Sequence, residues 1–243
     1  MKPIVIIKVG DTFADLAQSA GDFEHWIEKG LGKLKSPVSV IDPRINTLPA
    51  PGGIAGAIVT GSHAMVTDRA DWSETLAAWL RKAVEEEIPL LGICYGHQLL
   101  AHALGGKVDY HPQGMEIGSV HISKTAAASD DPLFHDLPAS FMAQVVHSQS
   151  VRTLPPEAVL LAENAFEHHH AYRIGRHAWG VQFHPEFDHR AMGSYITKLS
   201  DHLKEKGADV PTLQSQLAYT HAASGILNKF GKLAENHPLY SST

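Results

Sequence analysis

Ile88-Pro-Leu-Leu-Gly-Ile-Cys-Tyr-Gly-His-Gln-Leu-Leu-Ala-His-Ala-Leu-Gly-Gly106 is the stretch around which the chain is organised. It begins as a short apolar run, turns through Gly92-Ile93-Cys94-Tyr95-Gly96, and continues with helical character to about Leu104. Glycine two positions away on each side of a nucleophilic residue is the pattern of a nucleophile elbow. The passage from strand to helix is so tight there that the neighbours cannot carry bulky side chains, and the central residue is held in strained backbone geometry. Cys94, the single cysteine of the chain, occupies the centre. Its sulfur is expected above the N-terminus of the following helix, where the dipole favours a thiolate.

Working outward, the N-terminal half alternates strands and helices. Pro3–Val9, Val38–Ile41 and Ile54–Thr60 are apolar runs suited to buried strands. Asp15–Leu34 is predicted helical, with Leu16, Phe23, Trp26, Ile27 and Leu31 on the buried stripe. A further helix is predicted from about Trp72 to Glu87. Beyond Gly106 come short strand-like pieces at Met115–Ser123, Ser140–His147, Val159–Glu163, His170–Ile174 and Ala178–His184. Helical patterning returns over Arg190–Lys206 and Thr212–Leu233. The expectation is an α/β fold with an open, mostly parallel sheet flanked by helices, in one domain spanning 1–243. Residues 1–190 would form its core, and about 191–243 a helical cover.

With 243 residues, 44% of them hydrophobic and 19% charged, the chain can bury an ample core. A net charge of −6 argues against electrostatic binding to nucleic acid or anionic membranes. One cysteine excludes an internal disulfide framework and a multi-thiolate metal site. No apolar stretch reaches 18 residues, and the N-terminal run is too short for a signal peptide, so the expected setting is a reducing cytoplasm.

A cysteine nucleophile needs a base, a group to orient that base, and donors for the oxyanion. Gly180-Val-Gln-Phe-His-Pro-Glu-Phe187 offers the first two. An imidazole at a strand end, His184, can reach the thiol across the top of a parallel sheet. A carboxylate two residues on, Glu186, can return to the other ring nitrogen across the rigid proline.

Gly92-Ile-Cys-Tyr-Gly-His-Gln98 and Gly180-Val-Gln-Phe-His-Pro-Glu186 together resemble the two signatures of class I glutamine amidotransferases. The likeness extends to the strand at 54–60 with its loop and to His147-Ser-Gln-Ser-Val151, and so covers about residues 1–190. It implies a flavodoxin-like three-layer fold. It also implies a triad of Cys94 as nucleophile, His184 as base and acid, and Glu186 as orienter, which removes ammonia from glutamine through a γ-glutamyl thioester. The oxyanion would meet the Tyr95 N–H and a donor from Gly61 or Ser62. Where familiar members have a second glycine and a proline, this chain has Ser62 and His63. Gln98, Ser148 and Gln149 correspond to substrate contacts.

No metal or organic cofactor is implied for that half-reaction. Nothing in the 243 residues resembles a nucleotide-binding loop, so a separate synthetase is the expected recipient of the ammonia, with hydrolysis of other γ-glutamyl compounds as the alternative. A purely binding role on the same fold gives no reason to keep the three residues together. No residue pattern speaks for or against a homo-oligomer. His168-His169-His170 is expected to be an exposed turn, because consecutive strand residues point to opposite faces and cannot share an ion. Glu116 is placed either near the site mouth or on a strand surface.

Overall fold

The structure, a computed structural model, describes residues 1–237. In chain order its elements are β1 (Ile4–Ile7), α1 (Ala14–Ala20), α2 (Phe23–Leu31), β2 (Val38–Ile41), β3 (Gly56–Val59), α3 (Asp71–Glu85), β4 (Leu90–Ile93) and α4 (Tyr95–Ala103). There follow β5 (Lys107–Tyr110), β6 (Glu116–Lys124), β7 (Ser140–His147), β8 (Gln149–Thr153), β9 (Val159–Glu163), β10 (Ala171–Ile174) and β11 (Ala178–Val181). The last helices are α5 (His189–Lys198), α6 (Ser200–Glu205), α7 (Val210–Ser215) and α8 (His221–Glu235).

Among the described residues nine strands form one sheet in the order β2-β1-β3-β4-β11-β10-β9-β6-β7. The first five in that order run parallel, and β10, β9, β6 and β7 add an antiparallel wing. Alternation along the parallel strands sorts the core into two layers. Ile4, Ile6, Ile58, Leu91 and Ile93 face Ile27 and Leu31 of α2 and Ile226, Leu227 and Phe230 of α8. Val5, Ile7, Ala57, Val59 and Leu90 face Leu76 and Leu80 of α3 and Leu99 and Leu100 of α4. Among the described residues no helix is long and apolar enough to cross a membrane.

Three expectations change. The predicted helix 15–34 is two helices, because Gly21 turns with φ +88° and Asp22 opens α2 with a capping box closed by His25. The C-terminal patterns divide as well: Arg190–Lys206 breaks at Leu199 between α5 and α6, and Thr212–Leu233 resolves into α7 and α8 separated by residues 216–220. The helix α8 is more than a cover, since Leu227 and Phe230 are fully buried against the sheet and α2. Finally, the run after His147 is a strand, β8, paired antiparallel with β5. That pairing escaped the sequence reading because β5, Lys107-Val-Asp-Tyr110, is mostly exposed and carries no apolar run.

Candidate active site

Cys94 stands between β4 and α4 with φ 49° and ψ −97°, a left-handed backbone that a side-chain-bearing residue adopts only when its surroundings enforce it. Contact distances explain both flanking glycines. A Cβ on Gly92 would lie 2.4 Å from the Gly96 carbonyl oxygen, and one on Gly96 would lie 2.5 Å from that of Val59. The Cys94 N–H donates to the Val181 carbonyl at 2.8 Å, which ties the elbow to β11. The β4–β11 register sets Gly92 beside Gly180 and Ile93 beside Val181, so the two chains leave the sheet side by side. One continues into Cys94 and the other into His184.

His184 is almost wholly buried, and its Nδ1 donates to Glu186 Oε1 at 2.8 Å. Its Nε2 is buried, with no other hydrogen-bond partner among the described residues, and is the nitrogen left for the cysteine. Burial pushes the ring toward neutrality, but the Glu186 carboxylate and the nearby Cys94 sulfur outweigh it and raise the pKa to about 10. The ring is therefore suited to rest as imidazolium, its charge facing the Cys94 sulfur. Phe187 packs on the imidazole with ring centroids 4.3 Å apart. The Cys94 thiol also lies 3.7 Å from the Val146 carbonyl.

Gly61 lies over this pair. A Cβ there would come within 3.1 Å of His184 Cε1 and 3.8 Å of Cys94 Cβ, so only glycine leaves the ring room. Its carbonyl accepts from Thr60 Oγ1, which in turn accepts from the Val9 N–H, and these bonds fix the loop to β1. The next residue, Ser62, turns its hydroxyl back to accept from the Ala64 N–H at 3.1 Å. Tyr95 begins α4, so its N–H precedes the helical ladder and is not used by it. The Tyr95 ring is anchored away from the sulfur by Ser73 Oγ at 2.6 Å and by stacking on Trp72. Burial raises the Tyr95 phenol to about 12.

Cys94 and His184 open into a cavity of about 250 Å³, lined in part by Gln98, His147, Ser148 and Gln149. The Gln98 amide nitrogen is already committed, donating to the Gln149 carbonyl at 2.7 Å and to Gln182 Oε1 at 3.0 Å. Gln149 donates through Nε2 to Thr67 Oγ1, and its Oε1 is buried without a partner among the described residues. Ser148 is half-buried at the cavity wall, and its carbonyl accepts from the His111 N–H at 2.8 Å.

Glu116, which the sequence left between two placements, is buried beneath this loop. It accepts from His147 Nε2 at 3.0 Å, lies 3.3 Å from His170 Nε2, and accepts from Asn164 Nδ2 at 2.8 Å. Burial opposes its charge, yet the bonds from His147 and His170 hold the carboxyl well below the usual carboxylate range. His147 Nδ1 donates onward to the same Gln149 carbonyl that Gln98 uses, at 3.0 Å. Glu116 thus positions, through His147, the β7–β8 junction that carries Ser148 and Gln149. Replacing Glu116 by glutamine is expected to raise KM about tenfold while kcat changes much less, as scored by steady-state kinetics. Equal losses in kcat and kcat/KM would contradict the positioning role.

The histidine run also differs from expectation. His168 is exposed, but His169 Nδ1 bonds the Val151 carbonyl at 2.6 Å and His170 is fully buried beside Glu116. Sequence reasoning also missed Phe13 and Tyr195, whose rings line the cavity, and Gln182, which holds Gln98. Gln182 was within view, two residues before His184. The aromatic pair had no local signal, because its partners lie on distant segments.

An elbow cysteine and an adjoining His-Glu pair, at one end of a parallel sheet in a three-layer α/β fold, define a cysteine-dependent class of site. The particular family follows from comparison. The sequence model described as Glutamine amidotransferase class-I matches residues 16–202, and the chain belongs to that family. It is 35% identical to a glutamine-hydrolyzing GMP synthase of Thermomicrobium roseum, over 73% of this chain and 31% of that one. It is 30% identical to a protein of Methanococcus maripaludis named as one of the subunits of glutamine-hydrolyzing GMP synthase, over 75% of this chain and 92% of the other. It is also 30% identical to gamma-glutamyl peptidase 4 of Arabidopsis thaliana, over 63% of each chain. The present chain thus spans about a third of the length of the Thermomicrobium roseum protein.

Proposed function

We propose that this chain hydrolyses the side-chain amide of glutamine through Cys94, His184 and Glu186, and that the ammonia passes to a separate synthetase. One observation carries the reading: a cysteine at positive φ adjoins a buried histidine whose far nitrogen is held 2.8 Å from a carboxylate. The thiolate of Cys94 attacks the δ-carbon, and the oxyanion is met by the Tyr95 N–H and a donor of the Gly61-Ser62 loop. As the C–N bond breaks, His184 protonates the departing ammonia and leaves a γ-glutamyl thioester. The same imidazole then takes a proton from water, whose oxygen adds to the acyl carbon. Glutamate leaves and the sulfur is free again.

Ser148 and the unpartnered Gln149 Oε1 would receive the amino-acid end of the substrate. The separate recipient is supported by the Methanococcus maripaludis relative, a shorter protein matched over 92% of its length whose name makes it one part of an assembly. A reducing cytoplasm suits the free thiol.

A glutamine analogue with an electrophilic carbon in place of the carboxamide tests the reading. Mass spectrometry is expected to find a single adduct, on Cys94, with excess glutamine protecting and His184→Ala slowing the labelling about tenfold or more. Labelling that glutamine does not slow would count against glutamine as substrate.

A further inference from the structure

The wall of the cavity beyond His184 points to a substrate class, and this step rests on the reading of Cys94 and His184 given above. An imidazolium hands its proton to the departing nitrogen, so whatever that nitrogen carries lies on the His184 side of the sulfur, away from Ser148 and Gln149. On that side the surface is made of rings. Phe13 lies 4.9 Å from both Tyr195 and His63, and Phe187, buried behind the wall, packs between His184 at 4.3 Å and Tyr195 at 5.0 Å between centroids. Leu199, one helical turn past Tyr195, lines the same cavity.

The polar atoms of this wall are occupied with one another. The Tyr195 hydroxyl is 2.8 Å from Thr12 Oγ1 and 3.2 Å from His63 Nε2. Though exposed, the His63 ring packs against Phe13 and Tyr195, and the partial desolvation there, with the charge on His184, holds it below its ordinary pKa and favours its neutral form. Asp11 and Asp22, the carboxylates that act on His63 from the neighbouring loop, are paired with Lys8 at 3.0 and 2.9 Å. No lysine or arginine is among the described residues lining the cavity. A leaving amine bearing a carboxylate, as in a γ-glutamyl dipeptide, finds no cation there beyond the His184 that must protonate it, and a polyamine finds no carboxylate among the described lining residues. His63 is itself exposed, so the cavity opens to solvent at this wall and can admit more than ammonia.

We infer that the site accepts γ-glutamyl amides whose nitrogen carries an uncharged apolar or aromatic group, with Phe13, His63, Tyr195 and Leu199 forming the subsite for that group. The step keeps the balance of the glutamine reaction. The sulfur–carbon bond forms as the carbon–nitrogen bond breaks, the proton of His184 goes to the amine, and water later releases glutamate from the thioester.

The test measures glutamate release by the full chain from glutamine, γ-glutamylbenzylamide, γ-glutamylglycine and γ-glutamylputrescine. The benzylamide is expected to exceed the glycine and putrescine compounds at least about tenfold in kcat/KM. Phe13→Ala is expected to lower the benzylamide-to-glutamine ratio about tenfold, and Phe13→Leu to keep most of it. A ratio of two substrates is independent of the fraction folded, so a destabilised variant still reports. Glutamine turnover with no preference for the benzylamide, or a ratio that Phe13→Ala leaves unmoved, overturns the inference while sparing the triad. Failure to release glutamate from any of the four overturns both.

Discussion

Cys94→Ala is expected to reduce glutamate release from glutamine by at least about 10⁴-fold, because a catalytic unit loses nearly all its effect when its nucleophile is removed. Residual turnover would come from binding and oxyanion donors alone. The fold is expected to survive, since alanine keeps the Cβ at a position where the backbone is already fixed by Gly92, Gly96 and the Val181 carbonyl. Folding is checked by the thermal midpoint and activity by a coupled glutamate assay. Undiminished release by a folded Cys94→Ala protein would remove the thioester from the mechanism.

The second large effect concerns Glu186, whose side chain is fully buried against His184. Glu186→Gln is expected to lower kcat by roughly 10³–10⁴-fold, the scale found when a neutral amide replaces the orienting carboxylate of a triad. Its pH signature is specific. In the native site the carboxylate and the sulfur offset burial and raise His184 from 6.5 to about 10. Without the carboxylate, burial is less opposed and the pKa falls, so the alkaline limb of the pH–rate profile moves to lower pH. A folded-state pKa above the unfolded one stabilises fully below 6.5, fades between 6.5 and about 10, and is lost above that. The thermal midpoint of the native protein should therefore exceed that of Glu186→Gln most near pH 6 and by progressively less toward pH 10. A gap that widens with rising pH would contradict the ion pair.

The legible parts of the molecule share a property: their causes are close in sequence. The strands β1, β3 and β4 stand out as apolar runs because both faces of a parallel sheet are covered there, as the two core layers confirm. The elbow is legible because the glycine two residues before Cys94 and the glycine two residues after it meet across a single turn. The split at Gly21-Asp22 was available in principle, since glycine followed by a capping aspartate is a stop and a start. The periodicity of Leu16, Phe23, Ile27 and Leu31 concealed it. The β5–β8 pairing was not available, because an exposed two-stranded ribbon leaves no apolar alternation to detect.

Sequence by itself determined the family, the parallel half of the sheet, and the likeness that nominates Cys94, His184 and Glu186. Each of those rests on a short motif whose spacing is imposed by local backbone geometry. Only the tertiary structure decided what surrounds them. It placed Glu116 under His147, so that residues 31 apart hold the Ser148-Gln149 loop, and it joined Gln98 to Gln182 across 84 residues. It also brought Thr12 to Tyr195 across 183 residues and closed the aromatic wall beside His184. The physical reason is that such contacts are made by side chains meeting across β6, β7, β11 and α5. The packing that brings them together leaves no period in the sequence, and a hydrogen bond or ring contact constrains only the two residues it joins.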